Sequence, residues 1–162
     1  MLNNKYIMLA IISGCVVIAD QITKLLILNY LPFNHSVPII AGFFNLTHIH
    51  NPGGAFGLLA NLSSSARTII FLFISALAVG LIFYFYRKTP QSHRWLAAGF
   101  ALIFGGAIGN LIDRVRFGIV VDFLDFYIGK YHWPAFNIAD SSISVGIAIF
   151  VFHLLFKKMP DA

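Results

Sequence analysis

The run WLAAGFALIFGGAIGNLIDR, Trp95 to Arg114, decides the architecture. From Trp95 to Gly109 no side chain carries a charge or an amide; then Asn110, Asp113 and Arg114 follow in quick succession. A hydrocarbon core of ~30 Å takes about 20 helical residues to cross. Tyr6 to Tyr30, Thr68 to Tyr86 and Ile138 to Phe156 have the same reach as Trp95 to Ile112. Backbone in lipid must satisfy its own hydrogen bonds, so the sequence predicts four transmembrane helices. The whole chain, residues 1–162, reads as one membrane-embedded domain, with long connections over about 31–67 and 113–137.

Composition agrees. The chain is 59% hydrophobic and 10% charged, against roughly 45–50% and about 25% for a soluble domain. A soluble fold of this length could not hide so much apolar surface. The net charge of +5 comes from too few groups to form a nucleic-acid footprint. The single cysteine, Cys15, excludes an intramolecular disulfide and a zinc site built from cysteines. Met1 to Lys5 and the apolar run after it resemble a secretory signal, and Ile12 to Cys15 resembles a lipoprotein cleavage box. The apolar run continues through Val16 to Ile18 and three more spans follow, so the segment reads as a retained helix.

Basic residues set the orientation. Lys5, Arg87, Lys88, Arg94, Lys157 and Lys158 lie on one side with Asp161. Arg67, Arg114, Arg116 and Lys130 lie on the other, among Asp113, Asp122 and Asp125. The expectation is that both termini are cytoplasmic and both long connections are outside. At ~1.5 Å per residue, Asp20 lies ~22 Å and Lys24 ~28 Å beyond Lys5, while Asn110 lies ~24 Å and Arg114 ~30 Å beyond Arg94. Counted back from Lys157, Asp140 lies ~26 Å across the fourth span. Three helices therefore bring polar groups to one depth, the outer edge of the hydrocarbon. Such residues are costly there and mark a site by default.

Asp20 and Lys24 stand at i, i+4, acid first, the favourable order for a helical pair; they read as structural support. Gly105 and Gly109 form a small-xxx-small pair for close helix approach, and Arg114 offers a planar fork of donors. Asn51-Pro-Gly-Gly-Ala-Phe-Gly57 is a turn-rich stretch, weak by itself. Asp122 and Asp140 are each set among apolar residues. Burial and a neighbouring carboxylate both raise a carboxyl pKa. Two carboxylates sharing a proton can divide peptide hydrolysis, one accepting a proton from water and the other donating to the carbonyl oxygen. The serines at 141, 142 and 144 have no lysine or histidine clearly placed to activate them. His35, His48 and His50 could bind a metal, yet in a connection they read as ordinary polar residues.

These motifs resemble the lipoprotein signal peptidase (signal peptidase II) family, bacterial membrane aspartic peptidases. The resemblance runs from Asp20-x-x-Thr-Lys24 through Asn51-x-Gly-x-Ala-Phe, Gly109-Asn-Leu-Ile-Asp-Arg114 and Val121-Asp-Phe123 to Phe136-Asn-Ile-Ala-Asp140. One departure is Gly54, where alanine is commoner. The resemblance implies an all-α membrane fold of four helices with a small extracytoplasmic β-rich cradle, drawn from about Leu31 to Ala66. It implies cleavage of diacylglyceryl-modified prolipoproteins just before the lipidated cysteine, at the outer interface of the bacterial inner membrane. Asp122 and Asp140 would be the catalytic pair. Asn51, Asn110, Arg114 and Asn137 would bind substrate, and Asp20, Lys24, Gly106 and Asp113 would support the site. No metal or other cofactor is implied. The partners would be prolipoproteins and membrane lipids, not nucleic acid, with the chain working as a monomer, and globomycin would be an inhibitor. A proton-coupled transporter using Asp20, Asp122 and Asp140 as a relay is the alternative, but transporters place polar groups near the midplane, and the inner halves of these spans lack them. A purely structural membrane subunit would leave the clustered aspartates unexplained.

Overall fold

The computed structural model describes residues 4–53 and 63–156. Residues Gly54 to Gly57 of the turn-rich stretch, and Lys157, Lys158 and Asp161, lie outside the described residues. Helices α1 (Asn4–Tyr30), α2 (Ser64–Lys88), α3 (Arg94–Phe117) and α4 (Ile138–Phe156) are each long and apolar enough to cross a membrane. Four strands complete the described chain: β1 (Ser36–Ile40), β2 (Phe44–Asn51), β3 (Val120–Ile128) and β4 (Tyr131–His132).

Local chemistry sets the helix ends. Pro32 disfavours helical backbone at Leu31, just past α1. The Ser63 hydroxyl accepts from the Ala66 N–H at the start of α2. Gly118 ends α3 in the left-handed region at φ 71°, its N–H donating to the Arg114 carbonyl at 3.0 Å. The Asn137 side chain accepts from the Asp140 N–H at 2.9 Å and caps α4.

Helix α3 is the central element and packs against α1, α2 and α4. Its glycines let it. A Cβ on Gly105 would stand 2.9 Å from the Ser13 Cα of α1, and one on Gly106 would stand 2.4 Å from the Ala139 carbonyl oxygen of α4. Helix α2, by contrast, buries only Tyr86. Its exposed Ile69, Phe73, Leu77 and Leu81, four residues apart, present an apolar ridge suited to lipid. One apolar cluster joins Leu9, Tyr86, Leu96, Phe100 and Ile103. A second joins Ile27 to Val121 and Phe123. Along α1, Asp20 and Lys24 fall between Leu9 and Ile27, so a polar layer separates the two clusters.

Two expectations are corrected. The sheet is antiparallel in the order β1-β2-β3-β4, so half its strands come from the second connection rather than all from Leu31 to Ala66. The run Val120 to Tyr127 is dense in β-branched and aromatic residues, which suit a pleated, half-buried surface. Helix α3 also runs to Phe117, past the expected end of the third span at Ile112, and carries Asp113 and Arg114. No residue from Asp113 to Phe117 breaks a helix, and Gly118 is the first to adopt positive φ.

Gly106→Ala should therefore lower the thermal unfolding midpoint in detergent, by the ~1–3 kcal/mol typical of overpacking. Gly14→Ala is the control. Its Cβ would meet nothing within 4 Å, and its midpoint should hold or rise slightly.

Candidate active site

Each polar residue reaches the site from a different element. Asp122 lies on β3, 2% exposed, opposite Ile49 of β2. The Asn51 Nδ2 donates to its Oδ2 at 2.9 Å, and the Asn137 Nδ2 to its Oδ1 at 2.7 Å. Asp140 lies in the first turn of α4, half-buried, its Oδ1 accepting from the Asn110 Nδ2 at 2.7 Å. Asn137 thus touches both aspartates, donating to the Asp122 carboxylate and accepting from the Asp140 backbone N–H. Its Nδ2 also meets the Val121 carbonyl and the Asn110 Oδ1, each at 3.3 Å. Acceptors on one side and an N–H on the other fix the orientation of that amide.

Behind the pair stands a buried ionic group. Lys24 is 2% exposed, and its ammonium lies 2.8 Å from both Asp20 Oδ2 and Asp113 Oδ2. It also donates to Asn110 Oδ1 at 3.0 Å, which turns the Asn110 Nδ2 toward Asp140. The free Oδ1 of Asp20 accepts from the Ala139 N–H at 2.9 Å, satisfying a second amide at the α4 N-terminus. Asp113 Oδ2 accepts from the Val121 N–H at 3.2 Å, one residue before Asp122. Gln21 completes the group. Its Nε2 reaches Asp113 Oδ1 at 2.9 Å, and Asp20 Oδ2 and the Gly109 carbonyl at 3.2 Å.

Gln21 was not singled out from the sequence. No spacing along α1 signals it, because two of its partners, the Gly109 carbonyl and Asp113, lie on α3. Asp20 and Lys24 prove to be more than a local pair, because their partners come from α3 and α4. Gly106 sits where α4 crosses α3. Arg114 is half-buried. Its Nη1 donates to the Asn110 carbonyl at 3.4 Å, its guanidinium lies 6.0 Å from the Phe71 ring, and it is within electrostatic reach of Asp140, Asp122 and Asp113.

Burial pushes the Asp122 carboxyl up to about 7. Asp140 adds to the rise, while the amide donors Asn51 and Asn137 and the charge of Lys24 oppose it. A carboxyl held there exchanges protons at neutral pH, the property general acid–base chemistry needs. On the sheet, His48 donates through Nδ1 to the Leu31 carbonyl at 2.7 Å and meets His50, Nε2 to Nε2, at 3.0 Å. Burial, and His48 beside it, hold His50 below the ordinary histidine range. His35 turns to the Phe33 carbonyl instead. Among the described residues no three His, Cys, Asp or Glu side chains are grouped to hold a metal ion.

Fold and site together define a membrane-helix protein with a buried carboxyl, Asp122, and a half-buried one, Asp140, at one end of its bundle. A family model described as Signal peptidase (SPase) II matches residues 12–156. The Lipoprotein signal peptidase of Desulforapulum autotrophicum is 56% identical over 153 residues, covering 94% of each chain. That of Syntrophus aciditrophicus is 45% identical over 157 residues, covering 97% of this chain and 98% of the relative. Two solved structures of a bacterial membrane enzyme match with TM-scores of 0.81 and 0.83 at 36% and 35% identity. They cover 95% and 93% of this chain, and 93% and 94% of their own. The chain belongs to the signal peptidase II family, and is a protease rather than a transporter.

Lys24→Met should be severely destabilising. It leaves Asp20 and Asp113 buried without a cation, and breaking a buried pair from one side costs about 3–5 kcal/mol. Denaturant unfolding in mixed micelles measures this. Removing one of the two stranded charges with Asp113→Asn in the Lys24→Met background returns the group to its original net charge and should recover part of the loss.

Proposed function

We propose that the chain is an aspartic endopeptidase that removes the signal peptide from diacylglyceryl-modified prolipoproteins, cleaving just before the lipidated cysteine. The observation that carries this is the placement of Asp122 and Asp140 around the single amide of Asn137. In this reading the pair shares one proton. The ionised carboxylate takes a proton from water as it attacks the scissile carbonyl. The neutral one donates to the carbonyl oxygen as it becomes tetrahedral. When the C–N bond breaks, one carboxyl gives its proton to the leaving amine while the other takes one from the tetrahedral diol, so the pair again shares one proton. No metal is required.

Asn51 and Asn137 hold Asp122, and Asn110 holds Asp140. With Arg114 they form the polar wall against which an extended peptide would lie. Their amides both donate and accept, as a peptide backbone requires. Asp20, Lys24, Asp113 and Gly106 support that wall from behind. The basic ends of the helices favour cytoplasmic termini, which would put the sheet and the aspartates at the outer face of the inner membrane. A diacylglyceryl cysteine anchored in the outer leaflet would meet the pair at that depth, its acyl chains remaining in lipid. The chain would act as a monomer, as one unit over residues 1–162.

Purified protein in detergent should cleave a diacylated prolipoprotein, and Asp122→Asn and Asp140→Asn should each lower turnover by a factor of at least about 10³. Near-normal turnover by either variant would remove that residue from the chemistry. Loss of activity on adding a chelator would reopen the histidines as metal ligands.

The pH profile gives a separate test. Two coupled carboxyls titrate as a pair, so the limbs of the profile belong to the dyad. Asn51 donates to the Asp122 carboxylate and favours its ionised form. Asn51→Ala should therefore move the limb near pH 7 upward in a pH series of kcat/KM. An unmoved limb would detach Asn51 from the titrating group.

A further inference from the structure

The end of the bundle away from the aspartates holds a different kind of buried cation. Lys5, in the first turn of α1, is 9% exposed. Its ammonium donates to the Arg87 carbonyl at 3.1 Å and to the Thr89 carbonyl, and lies 5.1 Å from the centroid of the Tyr86 ring. The Tyr86 hydroxyl donates in turn to the Lys5 carbonyl. These contacts cap the C-terminus of α2, which supplies only about half a negative charge. Arg87 and Lys88 of the same last turn share that charge.

Lys24, also buried, has two carboxylates at 2.8 Å. Lys5 has no such counter-charge. The described carboxylates, Asp20, Asp113, Asp122, Asp125 and Asp140, are all engaged around the site and the sheet. Lys5, Arg87, Lys88 and Arg94 therefore gather at one end of the bundle with no acid among the described residues there. A charge held out of water is stable when it is paired, so among the described residues this end lacks an anion.

Beside Lys5 lies a cavity of about 250 Å³, lined by Asn4, Lys5, Met8, Gln91, Arg94 and Ala97. That is several times the ~30 Å³ of a water molecule, with room for a phosphate group. Two cations and two amides face it over an apolar floor of Met8 and Ala97. The first turns of α1 and α3 contain no acid, so both helix N-termini add to the positive potential. Tyr6 and Trp95, the chain neighbours of Lys5 and Arg94, are 37% and 71% exposed. Such aromatic rings settle at the headgroup level of a bilayer.

We propose that this cavity binds the phosphate of an anionic phospholipid, with Arg94 and Lys5 as its cations. A free phosphate ion shares the anionic chemistry. The apolar floor and the flanking aromatics favour a phosphate that carries acyl chains. The site is independent of the peptidase chemistry at the other end and needs only that the helices cross a bilayer.

Trp95 and Trp133 are the two tryptophans of the chain, so Trp133→Phe leaves Trp95 as a fluorescent reporter beside the cavity. Trp133→Phe protein in neutral-detergent micelles is titrated with phosphatidylglycerol bearing brominated acyl chains, with the matching phosphatidylcholine, and with inorganic phosphate. Phosphatidylglycerol should quench Trp95 saturably at mole fractions where phosphatidylcholine gives only a shallow slope, and should raise the thermal unfolding midpoint. Arg94→Gln should weaken the apparent affinity about fivefold, the usual effect of one basic residue at an anionic surface. Arg94→Lys should retain most of it. Both variants should cleave substrate normally in phosphatidylcholine micelles, which shows that they fold. Equal quenching by the two lipids, or an Arg94→Gln titration that matches the parent, overturns the site. Inorganic phosphate that alone reproduces the thermal shift and blocks quenching overturns the lipid as its source.

Discussion

Lys24 sits between Asp20 and Asp113 at 2.8 Å from each, almost wholly out of contact with solvent, and four elements meet through that contact. Asp20 uses its second oxygen on the N-terminus of α4. Asp113 also holds the backbone of β3 one residue before Asp122. The ammonium itself orients Asn110 against Asp140. A buried ionic group is weak support for stability, since apolar residues of similar volume often serve as well. Its contribution here is positional. An apolar replacement could hold α1 against α3, but it could not orient the Asn110 amide or cap α4.

That arrangement needs short distances between backbones, because aspartate has a short side chain. Gly105 and Gly109 of α3 supply them toward α1, and Gly106 supplies them toward α4. A Cβ on Gly109 would stand 2.7 Å from the Asp20 carboxylate itself. Helix packing and the ionic layer are therefore one design: the glycines set the approach, and the carboxylates use it. The two apolar clusters on either side keep the layer dry, which strengthens every contact within it.

Much of this was legible in the sequence. Four apolar runs of spanning length predicted the helices, and counting residues from the basic ends brought Asp20, Asn110 and Asp140 to one depth. Periodicity could not show the sharing of the sheet. The strand Val120–Ile128 is buried on both faces over its first four residues, so it lacks the alternation that marks a half-exposed strand. The apolar run stops at Ile112, whereas α3 continues to Phe117, because a helix ends where its backbone does, at Gly118. Gln21 and the reach of Lys24 across to α3 were invisible for another reason. They depend on which helix faces which, and sequence spacing reports only neighbours on the same helix.

The aspartates of this chain are chemically identical, and their partners separate their uses. Asp20 and Asp113 face an ammonium at 2.8 Å and serve as fixed contacts between elements. Asp122 is buried as deeply but faces the neutral amides of Asn51 and Asn137, with a second carboxyl in electrostatic reach. Amides orient a carboxylate without supplying a full charge, so burial prevails and the group titrates at about 7. The same constraint explains why the lysine stands behind Asn110 and not beside Asp140. One intervening amide passes on the geometry of the cation while keeping its charge a step away from the pair that has to exchange a proton.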